Sequence, residues 1–387
     1  MKRRTFVTAV SASLIAAQLT GRAHAAAPAE AGRGRGYEIV ARFWGAMPTG
    51  VTVSRRGRVF VNFPRWGDDV PFTVGELRGG KPVAYPDAEV NREDASDLAG
   101  HFQSVQSVVL DPAGRLWILD TGSPLFAPSS YGGPKLVAVD LHTNRIIQKI
   151  LFPPEVAPAH SYLNDVRFDL RRGPKGMAFI TDSSPQGPNG IVVVDLATGR
   201  SWRRLHAHPS VLPEKNFLPI IEGEPFMNRP ANGEPSYFQV GSDGIAISAD
   251  GKRLFYCALS SRRLHSVDVD ALADPAVPDA EVAVTVVDLG PKPMADGLES
   301  DDKGRVYGGD LEHNAIWRRN PDGTIETLAQ GPDLIWVDTL SIASDRHVYA
   351  VANQVNRQAG HHQGMDLRRK PYLLVRTAID AGPVLLR

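Results

Sequence analysis

The chain has 387 residues, 42% of them hydrophobic, with 43 basic side chains balanced by 43 acidic ones. That is enough apolar material for a full core, and the balanced charge, with no basic run beyond the N-terminus and Arg368-Arg369-Lys370, argues against a nucleic-acid partner. The single cysteine, Cys257, leaves no intrachain disulfide to form.

In chain order, residues 1–25 read as an export signal. Lys2-Arg3-Arg4 supplies a charged start, residues 5–19 a mildly apolar stretch, and Ala23-His24-Ala25 small residues around a cleavage point. The pair Arg3-Arg4 followed by Thr5-Phe6-Val7 resembles a twin-arginine signal, which predicts a periplasmic or secreted protein that folds before export. No later run reaches about 18 apolar residues, so no membrane contact is expected once the signal is removed. Residues 26–36, rich in Ala, Gly, Pro and Arg, read as a short disordered linker, and residues 37–387 as one domain.

From there a phrase recurs six times: a polar residue, a strand-like run, a Gly/Asp turn and a second strand. Its copies begin at Thr49, Gln106, Asn164, Asp243, Asp296 and Asp338, with turns and partner strands such as Gly57-Arg-Val-Phe-Val61, Gly114-Arg-Leu-Trp-Ile118 and Gly304-Arg-Val-Tyr307. Self-similarity at a period of tens of residues signals a repeat architecture. Each interval has room for a four-stranded sheet, since further runs such as Lys135-Leu-Val-Ala-Val-Asp140 and Gly190-Ile-Val-Val-Val-Asp195 follow. The prediction is an all-β, six-bladed β-propeller.

Tyr37-Glu-Ile-Val-Ala-Arg-Phe-Trp44 precedes the first copy and has no blade of its own, while the sixth blade, ending in Tyr372-Leu-Leu-Val-Arg-Thr377, lacks an outer strand. The N-terminal strand is therefore expected to close the ring there, with residues 382–386 as the other candidate. The longest interval, between the third and fourth copies, owes its length to His206–Val240, which contains Phe217, Phe226, Tyr237 and Phe238. It is either a lid over a pocket or a surface excursion with its own aromatic cluster.

In a propeller the first strand of each blade lines the central channel. The six phrases thus place Thr49, Gln106, Asn164, Asp243, Asp296 and Asp338 at one level, the channel mouth. A second level reads Phe63, Asp120, Asp182, Ala258, Asp310 and Asn353. Three acids converging in a dehydrated channel need compensation. A hard cation bound by carboxylate and amide oxygens would supply it, Ca²⁺ being the natural candidate. Raised pKa values would also supply it, leaving Asp243 or Asp296 as a catalytic acid or base. Alternatively, the carboxylates accept bonds from loop amides and pin blades together. Arg65 and Trp66 near the channel could stack on an aromatic ligand, the alternative being that Phe63-Pro-Arg-Trp66 is ordinary blade packing. The His361-His362 pair, Ser183-Ser184 and Ser260-Ser261 are weaker candidates for metal binding or nucleophilic catalysis, lacking defined partners.

Several stretches together resemble the yellow/major royal jelly protein family. They include Val108-Val-Leu-Asp-Pro-Ala-Gly-Arg-Leu-Trp-Ile-Leu-Asp-Thr-Gly122, Leu163-Asn-Asp-Val-Arg-Phe-Asp169, Phe179-Ile-Thr-Asp-Ser-Ser184, Trp336-Val-Asp-Thr-Leu-Ser341 and Asn353-Gln-Val-Asn-Arg357. The resemblance implies a secreted six-bladed propeller with a ligand pocket at the channel mouth. It also implies links to dopachrome conversion and to binding of aromatic amines. A more distant likeness, to gluconolactonase and senescence-marker propellers, implies a divalent cation in the channel. Asn164 and Asp296 match its ligands by type, Asp243 stands where Asn is expected, and Thr49 stands where a Glu belongs. The expected function is binding, and tautomerisation, of a small aromatic molecule over Thr49, Gln106, Asn164, Asp243, Asp296 and Asp338, with Arg65 and Trp336 beside them. The alternatives are a Ca²⁺-dependent lactonase or esterase and a non-catalytic binding scaffold.

Overall fold

Short β-rich runs, each punctuated by Gly, Asn or Asp, make antiparallel strands through most of the chain. The computed structural model describes residues 30–31 and 36–387. Its described strands form five four-stranded sheets and one five-stranded sheet, each a propeller blade, and two two-stranded ribbons, Ile220–Ile221 with Glu224–Pro225 and Met227–Asn228 with Ser236–Tyr237. The innermost strands are Gly50–Val53, Val105–Leu110, Leu163–Asp169, Ser242–Ile247, Leu298–Ser300 and Val337–Ile342. Each is followed outward by its sequence neighbours, and contacts between successive innermost strands close the circuit, Val337–Ile342 packing against Gly50–Val53. The repeated turn has a local cause. Gly114 and Gly304 adopt positive φ, and the preceding aspartates fix the turn. Asp111 accepts from the Arg115 amide and Trp117 Nε1, and Asp301 from the Arg305 amide and the Tyr307 hydroxyl.

Six buried clusters hold the blades together, one at each interface between neighbours. Between the second and third blades, for example, Trp117 stacks on Phe168 at 5.3 Å. Alternate residues of inner strands are apolar on both faces because each blade is sandwiched by two others, so the strands read as nearly continuous buried runs.

The ring closes as expected. Glu38–Phe43 pairs antiparallel with Tyr372–Ala378, completing the sixth blade, and Glu30–Ala31 pairs in turn on Glu38–Ile39. Those two residues fall in the segment expected to be a linker; the rest of residues 26–35 and the expected signal over residues 1–25 lie outside the described residues. The C-terminal residues do not join the sixth blade. They cross the opposite end of the channel, where Pro383 bridges to Asp301 and the Leu386 carbonyl accepts from the Leu170 amide at 2.9 Å. Among the described residues no helix is long and apolar enough to cross a membrane.

Candidate functional site

Five of the six aligned polar residues line a cavity at one end of the channel, and for four of them an irregularity in the strands puts them there. In four blades the register between first and second strands shifts across the polar position: between Val105 and Ser107, Leu163 and Val166, Ser242 and Ile245, and Val337 and Leu340. A bulge turns a side chain out of strict alternation, and here Gln106, Asn164, Asp243 and Asp338 occupy the shifted positions. Asp296 comes just before its strand begins at Leu298. Glycine after the aspartate lets adjacent strands meet: a Cβ on Gly244 would lie 2.4 Å from the Asp296 carbonyl oxygen, and one on Gly297 2.8 Å from that of Asp338. The Asp-Gly pairs are thus a close-approach device that brings Asp243, Asp296 and Asp338 together.

Above them lies a cavity of about 610 Å³, lined by Gln106, Asn164, Asp243, Asp296, Asp338 and Trp336 as expected. One wall is an aromatic stack: Trp66 on Phe126 at 5.2 Å and Phe126 on Tyr162 at 4.9 Å. Trp66 Nε1 donates to the Tyr162 hydroxyl at 2.8 Å, and that hydroxyl donates to Gln106 Oε1 at 3.1 Å. The long excursion forms the facing wall. Tyr237, Phe238 and Val240 line the cavity, while Phe226 packs behind on Trp336 at 5.2 Å and on His361 at 4.5 Å. Ser260 Oγ fastens it, donating to the Phe238 carbonyl and accepting from the Val240 amide. The segment thus both walls the pocket and carries its own aromatic cluster.

The floor is electrostatically strained. Burial is the largest influence on all three carboxyls. Asp243 is pushed well above its usual range by desolvation and by Asp296 and Asp338, and it shares a hydrogen bond with Asp296. Asp296 is pushed up to about 6 by burial, against a restraining bond from Trp336 Nε1 at 2.7 Å. Asp338 is raised by burial and by Asp296, although Asn353 Nδ2 donates to it at 2.6 Å. Each of these carboxyls therefore keeps its proton to a higher pH than free aspartate does.

Oxygen donors of this kind suit Ca²⁺ by type, and Asn164, Asp243 and Asp296 are the residues that would hold it. Two of the three already have partners. Asp243 and Asp296 bond each other, and Asp296 also accepts from Trp336.

Two expected pocket residues sit elsewhere. Thr49, in the blade whose register is unbroken from Gly50, accepts from Asn62 Nδ2 and donates to the Gln106 carbonyl, so it ties two blades beneath the cavity wall. Arg65 donates to the carbonyls of Gln103, Val70 and Asn91 and staples loops, leaving the adjacent Trp66 to face the cavity. The second polar level is mostly structural. Asp120 accepts from the amides of Gln103, Ser104 and Gly122 and pairs with buried Lys135; Asp182 accepts from the Tyr162 amide, Ser161 and Arg203. His361 and His362 diverge, bonding the carbonyls of Met227 and Asn356. His361 instead lines the cavity, its imidazole pushed down to about 4 by burial and so neutral. Tyr162 and Phe126 were missed, because neither carries a repeat signal; only aromatic residues next to a polar phrase hint at them.

With this geometry in hand, the comparisons are consistent. The sequence model of the family described as "Major royal jelly protein" matches residues 103–381. "Protein yellow" of Drosophila pseudoobscura pseudoobscura is 28% identical over 246 residues, 59% of this chain and 41% of that protein. "Protein yellow" of Drosophila melanogaster is 27% identical over 246 residues, 59% of this chain and 42% of that protein. The match therefore spans less than half the length of these relatives. Among solved structures, a gluconolactonase from Xanthomonas campestris superposes with a TM-score of 0.54 at 12% identity, covering 91% of this chain and 98% of that one. The calcium-binding protein regucalcin from Agrobacterium tumefaciens superposes with a TM-score of 0.51 at 14% identity, covering 90% and 98%. At such identities these two likenesses concern the fold alone. The sequence match, running from the second blade to the end of the sixth, is of another order, and by it the chain belongs to the major royal jelly protein family.

Proposed function

We propose that this chain is an exported propeller that binds a small aromatic molecule in the upper cavity and tautomerises it by moving a proton with Asp243 and Asp296. One observation carries the reading: a hydrogen-bonded pair of buried carboxyls with raised pKa values lies under a cavity walled by Trp66, Phe126, Tyr162, Phe238 and Trp336. Aromatic walls favour a flat ligand through stacking and burial. The ionised member of the pair takes a proton from the ligand, while the protonated member returns one at a second atom. Proton count and electrons balance without a co-reactant, since one proton leaves the ligand and one arrives. The twin-arginine-like start supports export.

The test is turnover of a dopachrome-type substrate followed by absorbance, with Asp243→Asn and Asp296→Asn beside the parent. Each variant is expected to lower kcat by about 10²–10⁴-fold with little change in ligand affinity. Unchanged kcat in both would remove the pair as the catalytic site. Ligand binding without turnover in the parent would make the protein a carrier. A Ca²⁺-dependent lactone hydrolysis abolished by chelator would replace proton transfer with the metal-assisted alternative.

A further inference from the structure

The opposite end of the channel holds a second cavity, of about 470 Å³, with a different chemistry. Every blade contributes to it, and the C-terminal residues Pro383–Leu385 form part of its wall. That wall is anchored: Leu386 is buried between the third and fourth blades, and the Gly382 carbonyl accepts from the Asp302 amide at 3.0 Å. Arg55 and Arg56 line the cavity and are exposed, and neither has a carboxylate or side-chain hydrogen-bond partner among the described residues. Nearby acids are committed. Asp111 is paired with Arg115 and Trp117, and Glu76 with Arg58. Deeper in, Arg167 bonds Asp165 at 2.9 Å, but its buried Nε has no hydrogen-bond partner. Glu299 lies 3.6 Å from that Nε, and burial pushes its pKa upward.

We propose that this lower cavity is a second ligand site, selective for a small amphiphilic carboxylate. Its head group pairs with Arg55 and Arg56, and its apolar body lies on Phe168, Ile247 and Leu385. Unpaired guanidiniums at a concave rim concentrate positive potential and match a carboxylate through two parallel donors. The apolar floor gives the body of the ligand a place out of water. The site is separate from the upper one, since four inner strands carry a channel-mouth residue toward one end and a lower-cavity residue toward the other, as with Asp243 and Ile247.

Titration calorimetry of the full chain at low salt, with hexanoate, hexylamine and inorganic phosphate as probes, tests it. Hexanoate is expected to bind at least about tenfold more tightly than either other probe, and the Arg55→Gln/Arg56→Gln double variant to lose about tenfold. Asp243→Asn is expected to leave hexanoate binding unchanged. Equal binding of hexylamine, phosphate as tight as hexanoate, or an unaffected double variant would each overturn the proposal. So would loss of hexanoate binding in Asp243→Asn, which would place the probe at the channel mouth. Both arginines are exposed, so the double variant is expected to fold, and its unchanged melting temperature verifies this.

Discussion

Asp296 accepts a bond from Trp336 Nε1 at 2.7 Å, yet burial holds its pKa at about 6 against a reference of 3.8. The native state therefore binds this proton more tightly than the unfolded chain does. The resulting stabilisation is complete below about pH 3.8 and is lost as pH rises through about 6, at roughly 1.4 kcal/mol per pKa unit. Asp296→Asn keeps an acceptor for Trp336 and has nothing to titrate. Relative to the parent, the variant is expected to gain stability on the order of 3 kcal/mol between about pH 3.5 and about pH 7.5, read from denaturant midpoints. A constant difference across that range would mean that Asp296 titrates normally. At this scale the sequence was legible in part. The three aspartates and Asn164 were identifiable because each opens a repeat copy, whereas Thr49 shows that a repeat position does not specify where a side chain points.

What aims those side chains is the bulge at the start of the inner strands, together with the glycine that follows two of the aspartates. Alternation and turn residues reveal strands, but a bulge adds one residue without a compositional mark, so the orientation of the ring was not readable. The long excursion was equally open, because its packing depends on residues distant in sequence, Phe226 against Trp336 and His361. Gly244 lacks a positive φ, and its constraint is space: a Cβ there would meet the Asp296 carbonyl at 2.4 Å and Leu298 Cγ at 2.8 Å. Gly244→Ala is therefore expected to wedge the fourth and fifth blades apart, costing about 1–3 kcal/mol by overpacking and weakening binding of an aromatic ligand at the channel mouth. Gly45→Ala, with nothing within 4 Å of the added carbon, is the control and is expected to be neutral. If thermal melting and ligand titration place the two variants together, close approach at Gly244 is not what assembles the floor.

The propeller was the most legible level, because six similar phrases can bury their apolar faces only by packing on one another around an axis. The circle depends on one seam. Ile39 and Tyr37 are buried between the fifth and sixth blades, and Ala41 and Phe43 between the sixth and first, so one N-terminal strand seals both interfaces of the closing blade. Fully burying a large apolar side chain contributes about 1.5–3 kcal/mol, and Tyr37, Ile39 and Phe43 together approach the whole net stability of a typical domain, about 5–15 kcal/mol. Removing residues 1–43 would also leave Tyr372–Ala378 as an unpaired edge. The shortened chain is expected to aggregate or to melt far below the parent, whereas removal of residues 382–387, which belong to no blade, is expected to leave a soluble ring. A peptide of residues 36–45 added in trans should restore a cooperative transition by refilling the edge. If the chain without residues 1–43 melts like the parent, the ring is held by the other four interfaces. In an opened ring water reaches the channel, so the pH-dependent advantage of Asp296→Asn should vanish with the seam, linking closure at the rim to proton binding at the axis.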